Sequence, residues 1–106
     1  MNIHLKKVTI IAERLLKEGL LDLLKEEGAS GHTLTMCEGA GSRGVRASDW
    51  EGRNIQIESI VSSDAADKIL NAVGAKYMKN YALIAYVSDV VVLRGSKFSH
   101  EVETEK

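Results

Sequence analysis

The sequence predicts an α+β protein, a ferredoxin-like βαββαβ sandwich in which two helices cover one face of a single sheet. Three observations lead there. Stretches of β-branched residues and two amphipathic stretches follow one another as β-α-β, a glycine-rich interval, then β-α-β. Each helical stretch carries its apolar residues on one side. The 106 residues, 44% hydrophobic and 27% charged, suit one compact domain with its own core.

The first strand is read where Val8, Ile10 and Ala12 alternate with Thr9, Ile11 and Glu13. A helix follows from Arg14 to Glu27, with Leu16, Leu20, Leu23 and Leu24 on one face, and Gly28 supplies its stop. His32 to Glu38 reads as the second strand, with Leu34 and Met36 on one side and Thr33 and Thr35 on the other. Residues 39–53 have no apolar period and hold four glycines, so they form a long loop. Ile55, Ile57, Ser59 and Val61 alternate with Gln56, Glu58 and Ile60 in a third strand. Ser62 or Ser63 caps the second helix, whose apolar stripe is Ala65, Ala66, Ile69, Leu70 and Val73. Tyr81 to Val87 is a fourth strand, and Val90 to Leu93 a short continuation. The domain spans 1–98, and 99–106 is a polar, acidic tail. The helix-free face of the sheet is expected to carry Ile57, Leu83 or Ala85. A domain this small leaves such a face wet unless a partner covers it, so oligomerisation is expected.

Composition narrows the function classes. A net charge of −1 gives no basic field for a nucleic acid. Cys37 is the only cysteine, which excludes an intramolecular disulfide and fits a reducing cytoplasm. Met1 to Lys7 is polar and basic and leads into a strand, unlike a signal peptide. The longest apolar runs, such as Val90 to Leu93, are too short to span a bilayer. His4, His32 and His100 lack metal-ligand spacing, so no metal site is expected.

The chemistry concentrates in Gly39-Ala40-Gly41-Ser42-Arg43-Gly44-Val45-Arg46. Gly39, Gly41 and Gly44 match a dinucleotide-fold glycine pattern, but no helix start follows them, and that reading is rejected. Glycine still lets backbone N–H groups turn toward an anion. Arg43 and Arg46 add forked donors for phosphate oxygens, and Ser42 adds a hydroxyl.

With Gly31-His32-Thr33 before this loop, and Ala75-Lys76-Tyr77 and Tyr81-Ala82 after the second helix, the sequence resembles the PII-like signalling proteins of the SbtB family up to about Lys97. Those proteins regulate the cyanobacterial bicarbonate transporter SbtA in a carbon-concentrating mechanism. The resemblance implies a homotrimer that binds AMP, cyclic AMP, ADP or ATP in clefts between subunits, with Mg or Ca accompanying ATP. Gly41, Ser42, Arg43 and Arg46 would hold the phosphates. Gly31, His32 and Thr33 would frame the adenine, with Val87, Ser88 and Asp89 at the adjoining cleft. The 39–53 loop would correspond to the T-loop, with Gly44, Val45, Trp50 and Arg53 facing the partner. Two features depart from the family. Ser96-Lys97-Phe98-Ser99-His100 stands where some members have a pair of cysteines, and the loop has no tyrosine to modify. Both absences favour a sensor over an enzyme.

Plainer readings stand beside these. Trp50 either anchors a partner or folds back on its own sheet. His32 packs at a strand start or contacts the adenine. Lys76 and Lys79 suit the negative end of the second helix's dipole, and Asp89 reads as an ordinary turn residue. An enzymatic alternative, a weak nucleotide phosphohydrolase, would draw on Glu38 or Asp49, which lie in no recognisable motif. A third reading is a ligand-free structural trimer like the copper-tolerance CutA proteins.

Overall fold

In the computed structural model, residues 2–39 and 54–93 are described. They form β1 (Ile3–Glu13), a short 3-10 turn (Arg14–Leu16), α1 (Lys17–Glu26), β2 (Thr33–Cys37), β3 (Asn54–Val61), α2 (Ser63–Tyr77) and β4 (Leu83–Val92). The four strands make one sheet in the order β2-β3-β1-β4, and every neighbouring pair is antiparallel. This is the expected split-βαβ architecture, with β2 and β4 at the two open edges.

Local chemistry explains the helix ends. Gly28 takes a φ of 111°, which only glycine adopts without strain, and it closes α1. The Ala29 N–H donates to the Leu24 carbonyl at 2.9 Å and the Gly28 N–H to the Lys25 carbonyl at 3.3 Å, a Schellman pair. Ser62 is the cap of α2, its Oγ accepting from the Ala65 N–H at 3.2 Å. The start of α1 has no side-chain cap. Its first turn therefore tightens into the 3-10 turn instead of continuing as the α-helix expected from Arg14.

The core lies between the helices and one sheet face. Ile10, Ile55, Leu20 and Ile69 are wholly buried there, joined by Val8, Ala12, Val61, Leu23, Leu24 and Val73. Ile57, 1% exposed, belongs to this core, and Leu83 and Ala85 pack against it. This corrects the expectation that these three lie on the bare face. A period of two separates the faces of a strand but does not say which one the helices cover. The register gives the helix-free face instead to Thr33, Glu58, Thr9 and Tyr86 in one cross-strand row, with Gln56, Ile11 and Ile84 in the next. Ile84 is 54% and Tyr86 44% exposed.

Two strands run longer than the sequence pattern suggests. β1 begins at Ile3, because Ile3 to Lys7 pair with Val92 to Ser88 of β4. By the same pairing β4 continues unbroken through Ser88 and Asp89. Its start shifts to Leu83, since the Tyr81 N–H donates to the Tyr77 carbonyl at 3.0 Å and prolongs the end of α2.

Candidate functional site

The segment Gly31-His32-Thr33 connects α1 to β2 and is exposed at all three residues. Once the Schellman turn has released the chain from α1, the Gly31 carbonyl accepts a hydrogen bond of 2.5 Å from Ser59 Oγ. Ser59 is buried in β3, so the segment is tied to the middle of the sheet. His32 is exposed rather than packed at its strand start. Together with Gly31, Glu18, Asp22 and Lys25 it lines a shallow cavity beside the end of α1.

Thr33 opens β2 opposite Glu58. Glu58 accepts from Gln56 Nε2 at 3.1 Å and pairs with Lys7 Nζ at 3.6 Å, both partners lying on the helix-free face. Thr9 sits beside Glu58 in the same row, wholly buried, with an Oγ1 that has no hydrogen-bond partner among the described residues. Sequence reasoning missed this polar group. Its signal was Gln56, Glu58 and Lys7 falling in phase on neighbouring strands, which only the register reveals.

Val87, Ser88 and Asp89 lie on β4, at the edge of the sheet opposite β2. Val87 packs on the core, and Ser88 pairs with Lys7. Asp89 is a strand residue, not the turn residue expected, because it pairs with Lys6 and forms an ion pair with Lys6 Nζ. The hydrogen bond from Lys6, then the attraction of its charge, holds the Asp89 carboxyl below the usual carboxylate range. Within one chain the two candidate groups are not brought together. β3 and β1 stand between them, and three strand spacings amount to about 14 Å.

Lys76 lies with its Nζ 5.6 Å from the centre of the Tyr77 ring, and Tyr77 meets Tyr81 edge-on at 5.8 Å. The end of α2 thus forms a local aromatic–cation cluster. Gly41, Ser42, Arg43, Gly44, Val45, Arg46, Asp49, Trp50 and Arg53 lie outside the described residues. What is defined is where that stretch leaves and rejoins the sheet, at the paired ends Cys37 of β2 and Asn54 of β3. No helix among the described residues is long and apolar enough to cross a membrane.

This architecture has close solved counterparts. A PII-like signaling protein of Thermus thermophilus is 48% identical, with a TM-score of 0.81 over 92% of this chain and 97% of its own. CPII of Thiomonas intermedia, solved with ADP, AMP and acetate, is 27% identical with a TM-score of 0.81 over 93% of this chain and 98% of its own. A second CPII structure, with ADP and bicarbonate, is 28% identical with a TM-score of 0.81 over 92% of this chain and 97% of its own. The family model for nitrogen regulatory protein P-II matches residues 5–97, nearly the whole fold described above. The chain therefore belongs to the nitrogen regulatory protein P-II family.

Proposed function

We propose that this protein is an adenine-nucleotide sensor, a regulator rather than an enzyme, that works as a homotrimer with one nucleotide cleft at each junction between copies. The observation that carries this reading is that Gly31-His32-Thr33 and Val87-Ser88-Asp89 lie on opposite open edges of one sheet. One chain cannot close a cleft with both groups, but an edge of one copy meeting the opposite edge of the next can. The exposed Ile84 and Tyr86 on the helix-free face give such an assembly apolar surface to bury. CPII, with the same fold, was solved with ADP and AMP, which supports adenine nucleotides as the ligand class.

In this reading Gly41, Ser42, Arg43 and Arg46 hold the phosphates of AMP, cyclic AMP, ADP or ATP, with Mg or Ca accompanying ATP. Nucleotide phosphate at the base of the 39–53 segment then biases how Gly44, Val45, Trp50 and Arg53 meet a partner. The coupling is reciprocal, and about 1–3 kcal/mol is enough to switch occupancy. The partner we favour is a bicarbonate transporter of the SbtA type, contacted from the cytoplasm.

Calorimetric titration with cyclic AMP, AMP, ADP and ATP, the last with and without divalent metal, tests the reading. Micromolar binding at one site per subunit, greatly weakened in R43A/R46A with an unchanged melting temperature, is the expected result. Undiminished affinity in that variant would overturn the phosphate assignment. No heat and no melting shift with any nucleotide would leave the fold alone standing.

A further inference from the structure

Ser59 is the one polar residue in the helix-facing row of β3, between Ile57 and Val61, and it is 3% exposed. A hydroxyl in such a row is unfavourable unless it is hydrogen-bonded. Its partner is the Gly31 carbonyl, 28 residues away in sequence. The strand ladder explains why a side chain is needed there. Pairing between β2 and β3 runs from Cys37 opposite Asn54 to Thr33 opposite Glu58 and then stops, while β3 continues to Val61. Ser59 is the first β3 residue past that end. Its hydroxyl extends the connection by one link, to a segment the ladder no longer holds.

That link does more than anchor a loop. The Gly31 carbonyl and the His32 N–H belong to one trans peptide, so they point in opposite directions. With the carbonyl drawn inward to Ser59, the His32 N–H is turned away from the core, toward the exposed side. Among the backbone hydrogen bonds of the described turns and loops, none uses this N–H. Gly31 itself has open space where a Cβ would stand, so no neighbour crowds the chain on that side.

We infer that Ser59 is a positioning residue for ligand recognition: through the Gly31 carbonyl it aims the His32 backbone N–H outward as a donor for a ring nitrogen of the bound base. The inference rests on the nucleotide reading above and deepens it. Ser59 touches no ligand and acts only through the peptide it holds.

The test uses the full chain and a pair of variants of equal shape, S59T and S59V, which differ only in the hydroxyl. AMP and ADP are titrated by calorimetry into wild type and both variants, and the backbone order parameter of the His32 amide is measured by nitrogen-15 relaxation without ligand. S59T should bind within about threefold of wild type, and S59V about tenfold more weakly. The His32 amide should be less ordered in S59V than in S59T. Equal affinities for the pair, or equal weakening of both, would overturn the inference, because packing and not the hydroxyl would then be the cause. An unchanged order parameter in S59V would overturn it as well, since the peptide would be held by something else. Wild-type protein that binds neither nucleotide overturns the nucleotide reading and this inference together. Normal wild-type binding with S59V indistinguishable from S59T overturns the role of Ser59 alone.

Discussion

The hydroxyl of Tyr77, at the end of α2, lies against the Cα of Gly19 in α1, in the space a Cβ on residue 19 would occupy. Glycine inside a helix is ordinarily unfavourable by about 1 kcal/mol relative to alanine, so its presence here follows from this approach of the two helices. Alanine at position 19 would improve the propensity of α1 and collide with the phenol. The collision should win in G19A, with a net loss of about 1–2 kcal/mol in chemical denaturation. The ring carbon bearing the hydroxyl is 3.6 Å from the same point, an ordinary contact distance. Removing only the oxygen should therefore reverse the sign. G19A/Y77F should be more stable than Y77F by about 0.5–1 kcal/mol. A G19A that destabilises equally in both backgrounds would refute this account.

Ser62 caps α2 through the Ala65 N–H, and Asp64 in the first turn adds favourable charge at the positive end. S62A should cost about 1 kcal/mol in urea unfolding, and S62D or S62N should cost much less. A loss in S63A matching that in S62A would mean that the cap is shared.

These features show what was legible in the sequence. Leu16, Leu20, Leu23 and Leu24 declared the buried face of α1, because one amphipathic stripe has one way to be buried. Ser62 or Ser63 was visible as a cap but not which of them, since a helix start can slide by a residue with little change in the apolar stripe behind it. Ile57 was assigned to the wrong face, and Ser88 and Asp89 were read as a break, because both depend on pairing across the sheet. No local pattern records that Asp89 stands opposite Lys6, 83 positions away. Ser59 was read as one more alternating strand residue. Its signal, a single hydroxyl among Ile55, Ile57 and Val61, acquires meaning only when Gly31 is found within reach.

The Lys6–Asp89 pair should show in the pH dependence of stability. The folded-state pKa of Asp89 is lowered, by the Lys6 hydrogen bond first and its charge second. A lowered folded-state pKa gives stabilisation present above the unfolded-state value, lost as pH falls through the folded-state value. The wild-type minus D89N difference in melting temperature should therefore be positive at neutral pH and vanish in acid below the ordinary carboxylate range. The Asp89 side chain is 85% exposed, so the difference should be small and should shrink in molar salt. A difference that persists in acid would assign the effect of D89N to something other than this ion pair.

Ile84 connects assembly to the ligand. It is 54% exposed on the helix-free face and lies outside the hydrophobic core, so I84E should leave the single-chain fold intact. If copies meet through this face, a buried glutamate without a partner is strongly unfavourable, and I84E should run as a monomer in size-exclusion chromatography with light scattering. Its far-ultraviolet circular dichroism should match wild type. Because Gly31-His32-Thr33 and Val87-Ser88-Asp89 come together only across copies in the proposed arrangement, the monomer should also lose nucleotide binding in calorimetry. Ile84 need not touch the nucleotide for this to happen. A monomeric I84E that binds ADP with wild-type affinity would mean that one chain is sufficient for the site, and the edge-to-edge cleft would have to be abandoned.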